Sequence, residues 1–149
     1  MIIYEHRQFG WLTIFVVVGV IIFLRVIVPA VVSAPVPFGI NGLLLAIAVI
    51  GALFSSLTVR VTEKSMAWWF GLPAIGRRID LQHIVSVRAI RTNVFEGWGI
   101  HLTWHGWVWN VAGFNAVQIT LTSGTRFAVG TPEPDKLIAA IERASGPKT

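Results

Sequence analysis

Two long apolar runs, Trp11 to Val32 and Phe38 to Val59, follow one another near the N-terminus, separated only by Ser33-Ala34-Pro35-Val36-Pro37. A helix rises about 1.5 Å per residue, so about 20 apolar residues cross a hydrocarbon core of about 30 Å. Each run reaches that length, and the pair predicts a transmembrane helical hairpin. From Leu57 onward the period changes to two. Leu57, Val59 and Val61 alternate with Thr58, Arg60 and Thr62, then Glu63-Lys64-Ser65 supplies a turn, and Met66, Trp68 and Phe70 alternate with Ala67 and Trp69. That pattern predicts a β-hairpin closed off by Gly71-Leu72-Pro73.

Further strands are expected over Arg77 to Leu81, Ile84 to Arg91, Gly99 to Trp104, Trp107 to Val111, Ala116 to Thr122 and Arg126 to Val129, with Thr122-Ser123-Gly124-Thr125 joining the last two. One helix follows. Thr131 is its expected N-cap and Pro132 its first residue, Glu133 and Asp135 lie near the positive end of its dipole, and Leu137, Ile138, Ile141 and Ala144 recur at helical spacing before Gly146-Pro147. The chain therefore divides into an N-terminal tail and two-helix hairpin over 1–58 and a mainly-β domain over 59–149. The expected fold of the latter is a small, bent antiparallel barrel or sandwich with one end plugged by the C-terminal helix.

Charge sharpens that division. Of 19 charged residues, 16 lie at position 60 or later, ten of them basic and six acidic. A net charge of +4 on that part suits an anionic membrane face at least as well as nucleic acid, and no nucleic-acid recognition motif accompanies it. Arg7 precedes the first apolar run, and Arg60, Lys64, Arg77 and Arg78 follow the second, whereas 26–41 contains no Lys or Arg. The positive-inside rule then places both termini in the cytoplasm, with Tyr4, Phe9 and Trp11 at headgroup level. A cleaved signal peptide is the competing reading, since Val32-Ser33-Ala34 resembles a small-residue cleavage site. The first run is longer than the 7–15 residues of an ordinary signal core, and Pro35 would follow the cut directly. With no Cys, the chain has no thiol nucleophile and no disulfide framework.

Arg25 interrupts the first span about 21 Å beyond Trp11 at about 1.5 Å per residue. It has two readings, snorkelling outward to lipid phosphate with help from a kink at Pro29, or contact with a carboxylate on a partner helix, since neither span contains an acid. The second span carries Gly42, Ala46, Gly51, Ala52 and Ser55, small residues that let helices approach closely, and packing between the two spans accounts for them.

The blocks Leu57-Thr-Val-Arg-Val-Thr-Glu, Phe70-Gly71, Arg78-Ile-Asp-Leu, Gly97-Trp98-Gly99-Ile, Gly106-Trp107-Val-Trp-Asn110-Val-Ala-Gly113 and Gly130-Thr-Pro-Glu-Pro-Asp135 resemble the bacterial pleckstrin-homology-like domains attached to two membrane helices. The resemblance implies a seven-stranded, highly bent barrel with a C-terminal helix at the bacterial cytoplasmic membrane, and structural roles for Gly97, Trp98, Gly99, Trp107, Asn110 and Gly113. It implies little about activity. His101 stands where such domains often carry Arg, which weakens transfer of an anion-binding role.

Catalytic patterns are weak. His101 and His105 share a strand face but stand about 13 Å apart at about 3.3 Å per residue, too far for one metal ion. Ser86, Ser123 and Asp80 lack the setting of a nucleophile elbow, and Gly97-Trp98-Gly99 lacks the third glycine and the strand-to-helix setting of a dinucleotide loop. The expectation is a non-enzymatic protein without a cofactor. Tryptophan is the unusual feature, with Trp98, Trp104, Trp107 and Trp109 within twelve residues and the pair Trp68-Trp69. Alternation sends at least one of that pair outward, and the outward rings with Arg60, Lys64, Arg77 and Arg78 make an expected surface for membrane lipid or for another integral membrane subunit. Two functions follow from these residues: an accessory or scaffold subunit of a larger membrane assembly, or a lipid-headgroup-binding module.

Overall fold

The computed structural model describes residues 1–32, 38–92, 99–103 and 106–146. Strand β1 (Ile2–Phe9) runs into Gly10, where helix α1 (Trp11–Ile22) begins. A widened π turn (Phe23–Ile27) and the short helix α2 (Val28–Val32) continue it, and helix α3 (Phe38–Leu53) returns to strand β2 (Ser56–Thr62). Pro29 accounts for the widened turn. It has no N–H to give the carbonyl of Arg25 four residues back, and the helix shifts to longer bonds, with the Val28 N–H bonding to the Phe23 carbonyl.

One helical stretch, Trp11–Val31, is long and apolar enough to cross a membrane. The expected second span to Val59 is not found. Helix α3 has 16 residues, about 24 Å at about 1.5 Å per residue, and it stops because Leu57, Val59 and Val61 form the buried face of β2. In α3 it is Gly51 that meets α1: a Cβ there would lie 2.6 Å from Val17 Cγ2. The Gly10 N–H donates to the Ser55 carbonyl at 2.7 Å, so the chain leaves and re-enters the β domain at one point.

The tail expected before α1 is instead strand β1, paired antiparallel with β2 from Ile2↔Thr62 to Phe9↔Ser56. With β3 (Ser65–Phe70) and β4 (Gly76–Asp80) it builds an antiparallel sheet of order β1-β2-β3-β4. The second sheet contains β5 (Ile84–Arg91), β6 (Gly99–Thr103), β7 (Gly106–Asn110), β8 (Asn115–Leu121) and β9 (Arg126–Gly130) in the order β5-β8-β9-β7-β6. The β8–β9 hairpin inserts β9 between β8 and β7, so β7 and β9 run parallel. The expected antiparallel barrel is thus two open sheets, one of them mixed. Alternation specifies which side chains face inward, and it leaves strand order free.

Helix α4 (Pro134–Ser145) packs on β1, β2, β5 and β8 through Leu137, Ala140 and Ile141. It starts later than Thr131 predicts. Thr131 continues the ladder, its N–H donating to the Asn115 carbonyl at 3.0 Å, while its hydroxyl accepts from the Glu133 N–H at 3.2 Å. Pro134 takes the first helical position, where a missing N–H costs nothing. Both sheets and α4 share one core. At its centre Trp68, 1% exposed, stacks on Phe127 at 4.8 Å and meets Trp109 edge-on at 5.9 Å. Burying each large side chain here contributes about 1.5–3 kcal/mol.

Candidate membrane and partner surface

Period two separates the tryptophan pair. Trp68 points into the core, whereas Trp69 lies on the outer face of the first sheet, opposite Thr58 and Gly76. Arg60, one pair further along, places its guanidinium 5.1 Å from the Trp69 ring centroid. The same guanidinium donates from Nε and Nη2 to the two oxygens of Glu5 at 2.7 and 3.2 Å. This bidentate bond holds the Glu5 carboxyl below the usual carboxylate range and raises Arg60. Arg7 repeats the theme nearer the helices, 4.9 Å over the Phe9 ring and donating to Ser56 Oγ at 3.1 Å.

Of the six residues expected to form one surface, the structure brings Arg60 and Trp69 into contact. Arg78 shares their face and donates to Ser65 Oγ at 3.0 Å. Arg77 stands opposite Trp68 on the other face, exposed at the edge strand. Lys64 occupies the β2–β3 turn at the end of the sheet remote from the helices, about 20 Å from Phe70 at about 3.3 Å per residue. Proximity in sequence to the second apolar run therefore does not bring it near the helix junction. Tyr4, expected at headgroup level, instead packs against the core.

The junction itself is lined by Phe9 and Trp11, expected at headgroup level, and by Leu72, which was not. Phe9, Trp11 and Leu72 are exposed there, with the Phe9 and Trp11 ring centroids 6.1 Å apart. Gly71 closes the corner. Its φ is +45°, its N–H donates to the Ser56 carbonyl at 3.0 Å, and a Cβ would stand 2.5 Å from the Leu53 carbonyl oxygen. In the second sheet Arg91 ends β5, and the Thr92 N–H donates to the Phe114 carbonyl at 2.7 Å. Arg7 is thus the cation at the junction.

Several motif residues have structural settings. Asn110 is buried, its side-chain amide donating to the Gly113 carbonyl at 3.0 Å and its oxygen accepting the Ala112 N–H at 3.2 Å, and Gly113 completes that turn at φ +73°. Gly99 opens β6 at φ +103°. Trp107 is exposed opposite Leu102, while Trp109 on the same strand is buried. Gly97, Trp98, Trp104 and His105 lie outside the described residues, as does the Ser33-Ala34-Pro35 segment. Among the described residues no three His, Asp or Glu side chains are grouped to hold a metal ion.

Arg25 sits in the widened turn, exposed. Seven apolar residues follow it to Val32, and Val26 and Val31 are 58% and 76% exposed to the surroundings of the helix. On the insertion scale that charges about 2.5–3.5 kcal/mol for an Arg at a helix centre, each Val or Ile returns about 0.3–0.6 kcal/mol, so the five Val and Ile residues after Arg25 offset most of it. A membrane crossed by the whole Trp11–Val31 stretch holds Arg25 within it.

The class defined by these features is a mainly-β domain of two sheets and a C-terminal helix carrying one N-terminal helix apolar enough to span a membrane. Comparison with protein-family models, with curated proteins and with solved structures finds no match to this chain.

Proposed function

We propose that this chain is a non-catalytic accessory or scaffold subunit of the bacterial cytoplasmic membrane, whose β domain and hairpin dock on a larger integral assembly of respiratory, photosynthetic, transport or secretory type. The observation that carries this reading is the joint between hairpin and domain. β1 and β2 are neighbours, Gly10 bonds to Ser55, and the α1 segment is nowhere buried by the β domain. If α1 crosses the bilayer, the chain must come back through α3 to reach β2, which puts both termini on one side, the cytoplasmic side by the distribution of Lys and Arg. The shorter α3 is accommodated by local thinning and by flanking residues at modest cost. The motif blocks resembling bacterial pleckstrin-homology-like domains support the same reading.

The test is purification of tagged full-length protein from its native membrane in gentle detergent, followed by identification of stoichiometric companions. A reproducible complex with other integral subunits is expected. A second reading, a lipid-headgroup-binding module, is favoured by Arg7 beside Phe9 and Trp11 at the junction, where each well-placed cation adds about 1 kcal/mol on anionic lipid. Recovery of a lone protein enriched in acidic lipid favours that reading.

A further inference from the structure

We infer that Arg25 is the intramembrane docking point for a transmembrane helix of another subunit that carries an Asp or Glu at matching depth. The inference rests on the accessory-subunit reading and gives its partner a chemistry. Val17, Ile21 and Leu24 are half-buried, whereas Arg25 and its neighbours Ile22, Phe23, Val26 and Ile27 are exposed, so the guanidinium lies on a part of the helix that the rest of the chain leaves open. Among the described residues none bonds to the Arg25 guanidinium, and the sequence holds no carboxylate between Glu5 and Glu63.

Lipid phosphate is the alternative ligand, and helix geometry opposes it. Every Cα–Cβ bond in a helix leans toward the N-terminus. The Arg25 side chain therefore sets out toward the bilayer centre, away from the headgroups beyond α2. Some seven apolar residues, about 10 Å of helix, separate it from that surface. The widened turn forced by Pro29 occurs at Arg25 itself, so the helix is irregular where the charge projects. A charge held in hydrocarbon faces a protein interior and pairs there with another charged group or with backbone carbonyls. A second copy of this chain has no acid in its spans and cannot supply one, which leaves a different subunit.

The experiment uses full-length protein in native membranes. Arg25→Leu and Arg25→Gln are expected to lower the yield of co-purifying integral subunits by about 30-fold or more, as truncation of one member of a desolvated pair does. Arg25→Lys retains them. Resistance of the membrane-bound protein to alkaline extraction should be the same in all variants, which separates lost docking from failed insertion. Exchanging charges, with Arg25→Glu against Arg in place of the companion's intramembrane carboxylate, should restore the yield. If wild type brings down companions and Arg25→Leu brings down the same amount, the Arg25 inference is overturned and the accessory reading stands. If wild type emerges alone or as a homo-oligomer, both are overturned.

Discussion

The side-chain amide of Gln8 donates to the carbonyl oxygen of Gly130 at 2.8 Å, a buried bond between β1 of one sheet and β9 of the other. It lies at the end of the domain from which the helices leave. Asn110 fills the space beside Gly130 so closely that a Cβ on the glycine would overlap its side-chain oxygen. A strand placed before α1 in sequence is thereby fastened to strands more than a hundred residues later.

Gln8→Ala tests that fastening. The substitution leaves the Gly130 carbonyl buried without its donor, which costs about 1–3 kcal/mol. In a domain of this size each kcal/mol lowers the melting temperature by about 4–8 °C. Thermal unfolding of the full chain in detergent, followed by tryptophan fluorescence from the buried Trp68 and Trp109, should show a drop. An unchanged midpoint would mean that the bond adds nothing.

Trp68 and Trp69 should respond oppositely to the same substitution. Trp68→Ala removes a ring packed between Phe127 and Trp109 and should destabilise the domain by about 3–5 kcal/mol. Trp69→Ala removes an outer ring and the cation–π contact with Arg60, worth about 0.5–1 kcal/mol at an exposed site. The expected readout of Trp69→Ala is weakened co-purification with little change in melting temperature. Equal destabilisation by the two would show that Trp69 serves the fold.

Much of the domain was legible because its inner faces alternate cleanly. The face Leu57-Val59-Val61 against Met66-Trp68-Phe70, the turn at Gly124 and the apolar stripe of α4 all follow from period two or period 3.6. β1 was not legible, since its inward positions are Tyr4, His6 and Gln8, polar groups buried or half-buried by α4 and by the bond to Gly130. The end of α3 was obscured for a related reason. An apolar helix and the buried face of a central strand are both rich in Leu and Val, and they adjoin here without a charged break before Arg60. Strand order in the second sheet depends on where the β8–β9 hairpin settles, a tertiary outcome that no local pattern encodes. The candidate surface was half legible: Arg60, Trp69, Arg7 and Phe9 were within reach, but the contact of Arg7 with Ser56 required knowing that β1 pairs with β2.

Charge reversal should discriminate junction from periphery. Arg7→Glu places a carboxylate beside Phe9 and Ser56 at the end of the sheet that adjoins the helices, while Lys64→Glu alters a turn at the opposite end. For either reading of the function, Arg7→Glu should reduce binding to the native membrane assembly or to anionic vesicles, with a larger effect at low salt because screening acts over about 10 Å at 0.1 M. Lys64→Glu should leave both unchanged. A loss with Lys64→Glu as large as with Arg7→Glu would place the docking surface elsewhere.

Acid should loosen β1 from both sides. Arg60 lowers the Glu5 carboxyl by its hydrogen bonds, and Lys136, donating to Glu133 at 2.5 Å, lowers the Glu133 carboxyl, with His6 of β1 3.6 Å away adding to the effect. A carboxyl whose value falls on folding stabilises the native state above its unfolded value, near 4.5, and that contribution disappears as pH drops through the lower folded value. Melting temperature should therefore be flat in this respect from pH 7 to about 5 and decline below 4.5. Both pairs are solvent-exposed, so the decline is small and is reduced by salt. In the double variant Glu5→Gln with Glu133→Gln the acid slope should flatten, because the groups that titrate are gone. A double variant that declines as steeply as wild type would assign the acid sensitivity to other carboxylates and leave the attachment of β1 to its apolar and Gln8 contacts.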